Sequence, residues 1–155
     1  MYLYEHTQPG EYIRVMLGSC LLFFGSIFVL MLASGDTGAA IALASIIVML
    51  AVIFILFHSL TVRISPSDIS LSFGIGLIRK NFSIADICRV KVVRNRWYNG
   101  FGIKKIRSGW LYNVSGLDAI EIQLKNERKY RIGTDQPKEL LATIELAIAP
   151  NHATP

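Results

Sequence analysis

The sequence is poor in charged residues and in the side chains that hold metals or form disulfides. Only 17% of its 155 residues are charged, against about a quarter in an average soluble domain, and 52% are apolar. The two cysteines, Cys20 and Cys88, lie in different parts of the chain, so a disulfide framework is not expected. The three histidines are scattered and share no ligand spacing with the cysteines, so we expect no metal site.

Catalytic motifs are also missing. Gly74-Ile75-Gly76 lacks the third glycine of a dinucleotide-binding loop, and no P-loop pattern occurs. Asp118 and Asp135 are single carboxylates beside predicted turns, where they are more typical of turn formers and helix caps than of catalysts. We therefore expect no enzymatic activity and no cofactor.

Long apolar runs dominate the N-terminal part of the chain. Residues 15–35 and 37–60 contain no Asp, Glu, Lys or Arg, and a short turn around Asp36 separates them. A helix of ~20 residues crosses the ~30 Å hydrocarbon core of a bilayer. The short turn favours two antiparallel transmembrane helices, a helical hairpin, preceded by an N-terminal segment over residues 1–14.

Two alternatives compete with a transmembrane hairpin. The first run could be a signal peptide cleaved near Ala33-Ser34-Gly35, but it is longer than the usual apolar core of about 7–15 residues, and the acidic Glu5 and Glu11 precede it. Both runs could instead form a buried hairpin in a soluble protein. Two consecutive uncharged runs of this length disfavour that alternative.

The charges that flank the two helices predict their orientation. The turn carries Asp36 and no basic residue, whereas Arg14 precedes the first helix and basic residues follow the second, so the positive-inside rule predicts that both termini are cytoplasmic.

Small residues mark one side of each helix: Gly18 and Gly25 on the first, and Gly38, Ala42 and Ser45 on the second. Because small side chains let helices approach closely in lipid, we expect these faces to pack the hairpin together, with a homo-oligomer as the alternative.

From residue 61 the apolar pattern changes to the period of two that is typical of strands. Six strands are predicted, over residues 61–65, 69–73, 77–84, 87–94, 119–124 and 129–132. Thr134 or Asp135 can cap a final helix, whose apolar stripe comprises Leu140, Leu141, Ile144, Ala147 and Ile148. The prediction is a mainly-β domain over residues 61–149, a curved antiparallel sheet or partly open barrel of six or seven strands with one C-terminal helix, and a tail over 150–155.

The segment most suited to binding runs from residue 89 to residue 107 and holds seven Lys and Arg and no acid. The predicted binding residues are Arg94, Arg96, Trp97, Tyr98, Lys104, Lys105, Arg107 and Trp110. Lys and Arg attract anionic headgroups, and Trp and Tyr favour the membrane interface. A solvated basic face with its aromatics in the core, and a protein partner, are the alternatives. Nucleic acid fits the same composition but not a domain held at a membrane, so none is expected.

The order of elements, together with Arg94-Asn95-Arg96-Trp97-Tyr98, residues 109–118 and residues 131–135, resembles small bacterial membrane proteins with two N-terminal helices and a pleckstrin-homology-like (PH-like) domain. The resemblance covers residues 59–148. It implies a PH-like fold and a multi-pass protein of the bacterial cytoplasmic (inner) membrane. Phosphoinositide-binding PH domains have basic residues around the first strand turn, but Ser65-Pro66-Ser67-Asp68 has none, so that pocket is not carried over.

These features predict a membrane-anchored, non-enzymatic binding or scaffold module that presents a basic domain at the cytoplasmic membrane surface. Its expected partners are the lipid bilayer and either anionic headgroups or another membrane protein. The alternative is an accessory subunit of a larger membrane complex that is recognised through its transmembrane hairpin.

The predicted topology can be tested by site-directed labelling. A cysteine that replaces Asp36 should react with an impermeant reagent added from outside the cell, because the positive-inside rule places the turn there. A reporter that works only in the cytoplasm should be active when fused after Pro155. Protection of position 36 combined with outside labelling near the C-terminus would overturn this topology.

Overall fold

The computed structural model describes residues 2–152, and the side chains as far as residue 149. In chain order the helices and strands are β1 (Tyr4–Pro9), α1 (Glu11–Ser34), α2 (Thr37–Phe57), β2 (Ser59–Ile64), β3 (Asp68–Phe73), β4 (Ile78–Ser83), β5 (Ile87–Arg94), β6 (Gly102–Ile106), β7 (Gly109–Asn113), β8 (Asp118–Leu124), β9 (Lys129–Gly133) and α3 (Pro137–His152). The chain is thus two long apolar helices and a mainly-β domain with one C-terminal helix.

The predicted helical hairpin is present, although α1 begins at Glu11, four residues earlier than expected. Gly35 ends α1 in a left-handed conformation (φ 77°), and the Asp36 carboxylate accepts a hydrogen bond from the Ala39 N–H at 3.0 Å at the start of α2. Both helices are long and apolar enough to cross a membrane. Only 6% of the most apolar 18-residue stretch of each helix is buried inside the protein, whereas a core helix of a soluble protein is mostly buried.

The hairpin is inserted between two paired strands. β1 runs antiparallel to β2, with Tyr4 opposite Ile64 and Pro9 opposite Ser59. A single residue, Gly10, joins β1 to α1, and its N–H donates to the His58 carbonyl at 2.9 Å. The ladder between the strands therefore continues directly into the antiparallel helices, and both ends of the hairpin are fixed to the same sheet.

The expectation that every strand follows residue 61 is wrong for β1. Residues 1–14 include a strand rather than only a leading segment. Its inward face carries Tyr4 and the polar Gln8 at buried positions, so the alternating apolar pattern that reveals a strand is absent. The Gln8 side chain donates to the Ser115 carbonyl at 3.0 Å, and Tyr4 donates to Gln136 at 3.2 Å. β1 thus also contacts the β7–β8 loop and the segment before α3.

The β domain contains two sheets. One has the order β1-β2-β3-β4, and the other has the order β5-β8-β9-β7-β6. β7 and β9 are parallel, whereas the other pairs are antiparallel. The prediction was six or seven antiparallel strands in a curved sheet or partly open barrel. It is corrected to nine strands in two sheets within residues 2–152, with one parallel pair. β6 and β7 were not predicted because glycines and basic residues interrupt their apolar alternation.

The final helix closes the core as predicted. Leu140 and Ile144 are fully buried, and α3 packs against β5 and β8. The Thr134 hydroxyl accepts from the Gln136 N–H at 3.0 Å just before the helix. α3 continues through His152, beyond the predicted end at residue 149, and residues 153–155 of the predicted tail lie outside the described residues.

The base of the hairpin is part of the same core. Ile13 and Leu17 of α1 are buried together with the inward side chains of the two sheets. On α2, the Phe57 ring packs edge-on against Phe73 with centroids 5.7 Å apart. Because hairpin and domain share buried apolar side chains, they form one packed unit.

The faces of α1 and α2 that carry small residues do not pack against each other, contrary to the prediction. A Cβ placed on Gly18 or Gly25 would meet no atom within 4 Å apart from its chain neighbours and the adjacent backbone of α1, and Gly38, Ala42 and Ser45 are exposed on α2. These faces therefore do not pack the two helices together. Instead, Ala40 is the buried residue of α2.

A substitution at Gly74 tests the packing between the hairpin and the domain. It has φ 51°, and a side chain there would overlap the carbonyl oxygens of Ile55 and Leu56 at the end of α2. Gly74→Ala should lower the free energy of unfolding by at least about 1–2 kcal/mol, the usual cost of a left-handed non-glycine residue, before any clash is counted. Thermal unfolding in detergent measures this effect. Gly18→Ala is the matched control, with a change of at most about 1 kcal/mol towards higher stability. Equal melting temperatures for both variants would contradict this packing.

Candidate functional site: a basic cleft beside the helices

The five-stranded sheet places alternating charges in one row. By register, Lys91 of β5 lies opposite Glu121 of β8, and Glu121 lies opposite Arg131 of β9. The row continues through Leu111 of β7 to Lys104 of β6. Since paired residues share a face of the sheet, these side chains project to the same side.

A cleft of about 630 Å³ opens over this part of the domain, and we call it the basic cleft. Its lining includes Tyr98, Asn99 and Ser108, and no carboxylate, histidine or thiol. Six cationic side chains line it: Arg94, Arg96, Lys104, Lys105, Arg107 and Arg131. Such a lining favours an anionic ligand.

Glu121 neutralises one of these cations. Its carboxylate is 2.8 Å from Arg131 Nε and 3.1 Å from Lys91 Nζ, and the residue is only 4% exposed. Burial raises the pKa of Glu121, but the hydrogen bonds from Arg131 and Lys91 outweigh it, so that the net shift of the pKa is downward. Glu121 is therefore ionised at neutral pH and balances Arg131.

Arg131 is also held by a buried amide. Its Nη1 donates to Asn95 Oδ1 at 3.2 Å, and Asn95 is almost fully buried. The other atom of that amide, Nδ2, has no hydrogen-bond acceptor among the described residues. Asn95 and Glu121 together fix the Arg131 guanidinium beneath the more exposed cations.

The other five cations are weakly balanced. Arg94 is 4.0 Å from Asp118, but both side chains are at least half exposed, so the pair contributes little. Lys104, Lys105 and Arg107 make no ion pair with any described side chain, that is, within residues 2–149. The Arg96 guanidinium donates to the Tyr98 hydroxyl at 2.6 Å, which raises the pKa of Arg96 further above its usual range. The cleft thus carries excess positive charge.

The structure brings six of the eight predicted residues to one cleft: Arg94, Arg96, Tyr98, Lys104, Lys105 and Arg107. Trp97 adjoins the cleft in sequence but does not line it, and at 81% exposure it points away from the core. Trp110 lies at a separate concavity with Lys105 and Tyr130. The alternative that the aromatics pack inside is wrong for Trp97 and Tyr98, although Tyr112, just beyond the segment, is buried.

The cleft lies next to the base of the hairpin. Phe101, at the start of the chain into β6, stacks on Tyr12 of α1 with ring centroids 5.5 Å apart. On another part of the base, the β3–β4 turn exposes Ile75 and Leu77 while its Gly74 touches the end of α2. Exposed apolar side chains therefore adjoin the ends of both helices.

Sequence reasoning missed Arg131, Phe101 and the turn residues Ile75 and Leu77. Arg131 lies in a predicted strand, but its place in the cleft depends on the parallel pairing of that strand, β9, with β7, which no local pattern reveals. A signal for Ile75 and Leu77 was present, since two large apolar residues in a glycine turn are unusual for a solvated loop.

Comparison of the chain with protein-family models, with curated proteins and with solved structures found no match. The PH-like resemblance therefore stays a prediction. Function is inferred from the chemistry of the basic cleft and from its position beside the helices.

The lowered pKa of Glu121 has a measurable consequence. A carboxyl whose pKa is lower in the folded state stabilises the protein fully above about pH 5, and that stabilisation is lost as the pH falls through the lowered value. Glu121→Gln should therefore lower the free energy of unfolding at pH 7 by about 1–3 kcal/mol.

The difference in stability between wild type and Glu121→Gln should shrink on acidification below about pH 5. Chemical unfolding in detergent at a series of pH values measures it. Glu145→Gln makes the same substitution at an exposed position of α3 that forms no ion pair among the described side chains, and it is the control. Identical pH profiles for the two variants would contradict the assigned ion pairs.

Proposed function

We propose that this chain is a membrane-anchored, non-enzymatic binding module, and that its basic cleft binds anionic lipid headgroups at the surface of the membrane its hairpin spans. The observation that carries the proposal is the cleft itself: six cationic side chains, with no carboxylate in the lining, beside the base of two apolar helices. Anionic headgroups at a bilayer surface are the ligands nearest to such a cleft.

The exposed surface of the hairpin supports membrane insertion. Large apolar side chains such as Leu22, Val29 and Ile41 are exposed along the helices. At about 1.5 Å per residue, helices of 24 and 21 residues are about 36 and 32 Å long, which matches a hydrocarbon core of ~30 Å. In water this apolar surface would drive aggregation.

Insertion would also fix which part of the domain faces the bilayer. The chain enters the hairpin from β1 through Gly10 and leaves it to β2 through His58, so that in an inserted hairpin the side chains at its base would lie at the membrane surface. These include the exposed Ile75, Leu77 and Tyr12, which are suited to the interfacial region. The pairing of β1 with β2 supports a topology in which the N-terminal strand and the domain share one side of the membrane, and the positive-inside rule favours the cytoplasmic side.

Electrostatics favours a role in orientation and local binding rather than in recruitment. Each basic residue near an anionic surface contributes about 1 kcal/mol, so the five weakly balanced cations contribute at most ~5 kcal/mol before screening. Salt at 0.15 M limits the attraction to about 8 Å. The hairpin holds the cleft within that range, and tethering gives it a high effective concentration of headgroups.

The chemistry of the cleft supports binding over catalysis. Ser108 lines the cleft, and neither a histidine nor a carboxylate lies beside it to complete a serine–histidine–carboxylate set. Arg and Lys in excess are suited to holding an anion in place. The PH-like identity of the fold and the bacterial inner-membrane location belong to this proposal as well, on the strength of the sequence resemblance.

One observation favours the alternative, an accessory subunit that a larger complex recognises through the hairpin. No atom from outside α1 lies within 4 Å of where a Cβ on Gly18 or Gly25 would stand, and Gly38 and Ala42 are exposed on α2. Such faces are suited to close packing with helices of another chain, or of a second copy. A stoichiometric partner that co-purifies in mild detergent would favour this function.

Trp97 provides a direct readout of headgroup binding. We expect its emission to shift to shorter wavelength when the full chain, with Trp110→Phe, is moved from neutral phosphatidylcholine nanodiscs to nanodiscs that also contain phosphatidylglycerol. The shift should decrease as salt is raised, because the attraction is screened. Reversal of three cleft charges, Lys104→Glu, Lys105→Glu and Arg107→Glu, should abolish it.

The control is an equal reversal of charge outside the cleft, at the exposed positions Arg89, Lys125 and Lys138. It should leave the Trp97 response largely intact. The same emission in neutral and anionic nanodiscs, or an equal loss in both triple variants, would contradict headgroup binding in the cleft.

A further inference from the structure

A second concavity, which we call the apolar groove, adjoins the basic cleft. It has a volume of about 440 Å³, within the range of small-ligand sites. Side chains of Ile13, Met16 and Leu17 from α1 and of Ile53 and Phe57 from α2 form one wall, and the start of β6 forms the other. The groove is thus built by both the hairpin and the domain.

Lys104 lines both concavities. It makes no ion pair in the described part of the chain, and its ammonium lies close to the Gly100 backbone, 2.9 Å from where a Cβ would stand. Gly100 has φ 62° and ψ −157°, a conformation that essentially only glycine adopts. The Lys104 ammonium therefore lies where the apolar groove meets the basic cleft.

We propose that the groove and the cleft together bind one anionic phospholipid, with part of an acyl chain in the groove and the phosphate at Lys104. This inference rests on the proposed function and names its ligand. A phospholipid joins apolar acyl chains to a phosphate through a short glycerol linker. The apolar groove and the basic cleft lie side by side in the same order. In a zwitterionic headgroup the repulsion between its cation and the cleft offsets the attraction of its phosphate, so anionic lipids are favoured.

The depth of the groove fits this arrangement. Ile13 to Leu17 and Ile53 to Phe57 each extend about 6 Å along a helix, and they lie at the domain end of the hairpin. The groove therefore covers the first carbons of a chain, next to the glycerol, and leaves the rest in the bilayer. A second copy of this chain fits less well, since its domain would bring another basic cleft beside the first.

Native mass spectrometry of the full chain in detergent tests the inference, with phosphatidylglycerol and phosphatidylcholine as the added probes. We expect one retained phosphatidylglycerol and little retained phosphatidylcholine. Lys104→Glu should reduce retention by about fivefold or more, the factor that corresponds to one basic contact at an anionic surface. Met16→Trp should also reduce it by filling the groove, and Met16→Phe should have an intermediate effect.

Two matched variants act as controls. Lys125→Glu makes the same charge change outside the cleft, and Leu22→Trp adds the same ring at an exposed position further along α1. Neither should change retention. The soluble headgroup sn-glycerol 3-phosphate should not displace the bound lipid, because it cannot fill the groove.

The outcomes separate this inference from the proposed function. Displacement by glycerol phosphate, together with unchanged retention in Met16→Trp and an intact Trp97 response, would overturn the acyl groove and leave headgroup binding standing. Lipid-free dimers that are lost in Met16→Trp would assign the groove to a second copy and overturn the inference. If neither lipid retention nor the Trp97 response depends on the cleft charges, both proposals fail.

Discussion

The antiparallel pairing of β1 with β2 is the constraint on which the rest of the structure depends. These strands are separated in sequence by the whole helical hairpin, yet they pair from Tyr4 with Ile64 to Pro9 with Ser59. The helices leave the sheet through Gly10 and return through His58, so their ends cannot move apart without breaking the ladder. Buried contacts such as Phe57 with Phe73 then extend this junction into the core.

The packed junction fixes the position of the basic cleft relative to the two helices. On a flexible linker, the domain could take many orientations relative to the two helices. Here the chain between β5 and β6 stacks on α1 through Phe101, so the position of the cleft relative to the helices is set by packing. Ion pairing then separates the charges: Glu121 neutralises Arg131 at the floor, while Lys104, Lys105 and Arg107 make no ion pair within the described residues.

Local patterns in the sequence predicted the hairpin, β5 and the stripe of α3 because the relevant signals are periodic within a single element. Six residues of the cleft were predicted as binding residues on a similarly local signal, the high density of basic residues between positions 89 and 107. What was missed depends on pairing between distant segments. β1 carries the polar Gln8 on its inward face and becomes a strand only when β2 is beside it. Arg131 joins the cleft only through the parallel pairing of β9 with β7.

The β1–β2 ladder is most directly tested by an engineered disulfide in a chain whose Cys20 and Cys88 are replaced by alanine. Thr7 and Thr61 are paired residues whose hydroxyl oxygens are 2.8 Å apart, so Thr7→Cys with Thr61→Cys should cross-link readily in membranes under mild oxidation. Ser72 lies one strand further along the same row, about 10 Å from Thr7, and Thr7→Cys with Ser72→Cys should not cross-link. Failure of the first pair to cross-link, or equal cross-linking in both, would contradict a hairpin fixed at both ends to one sheet.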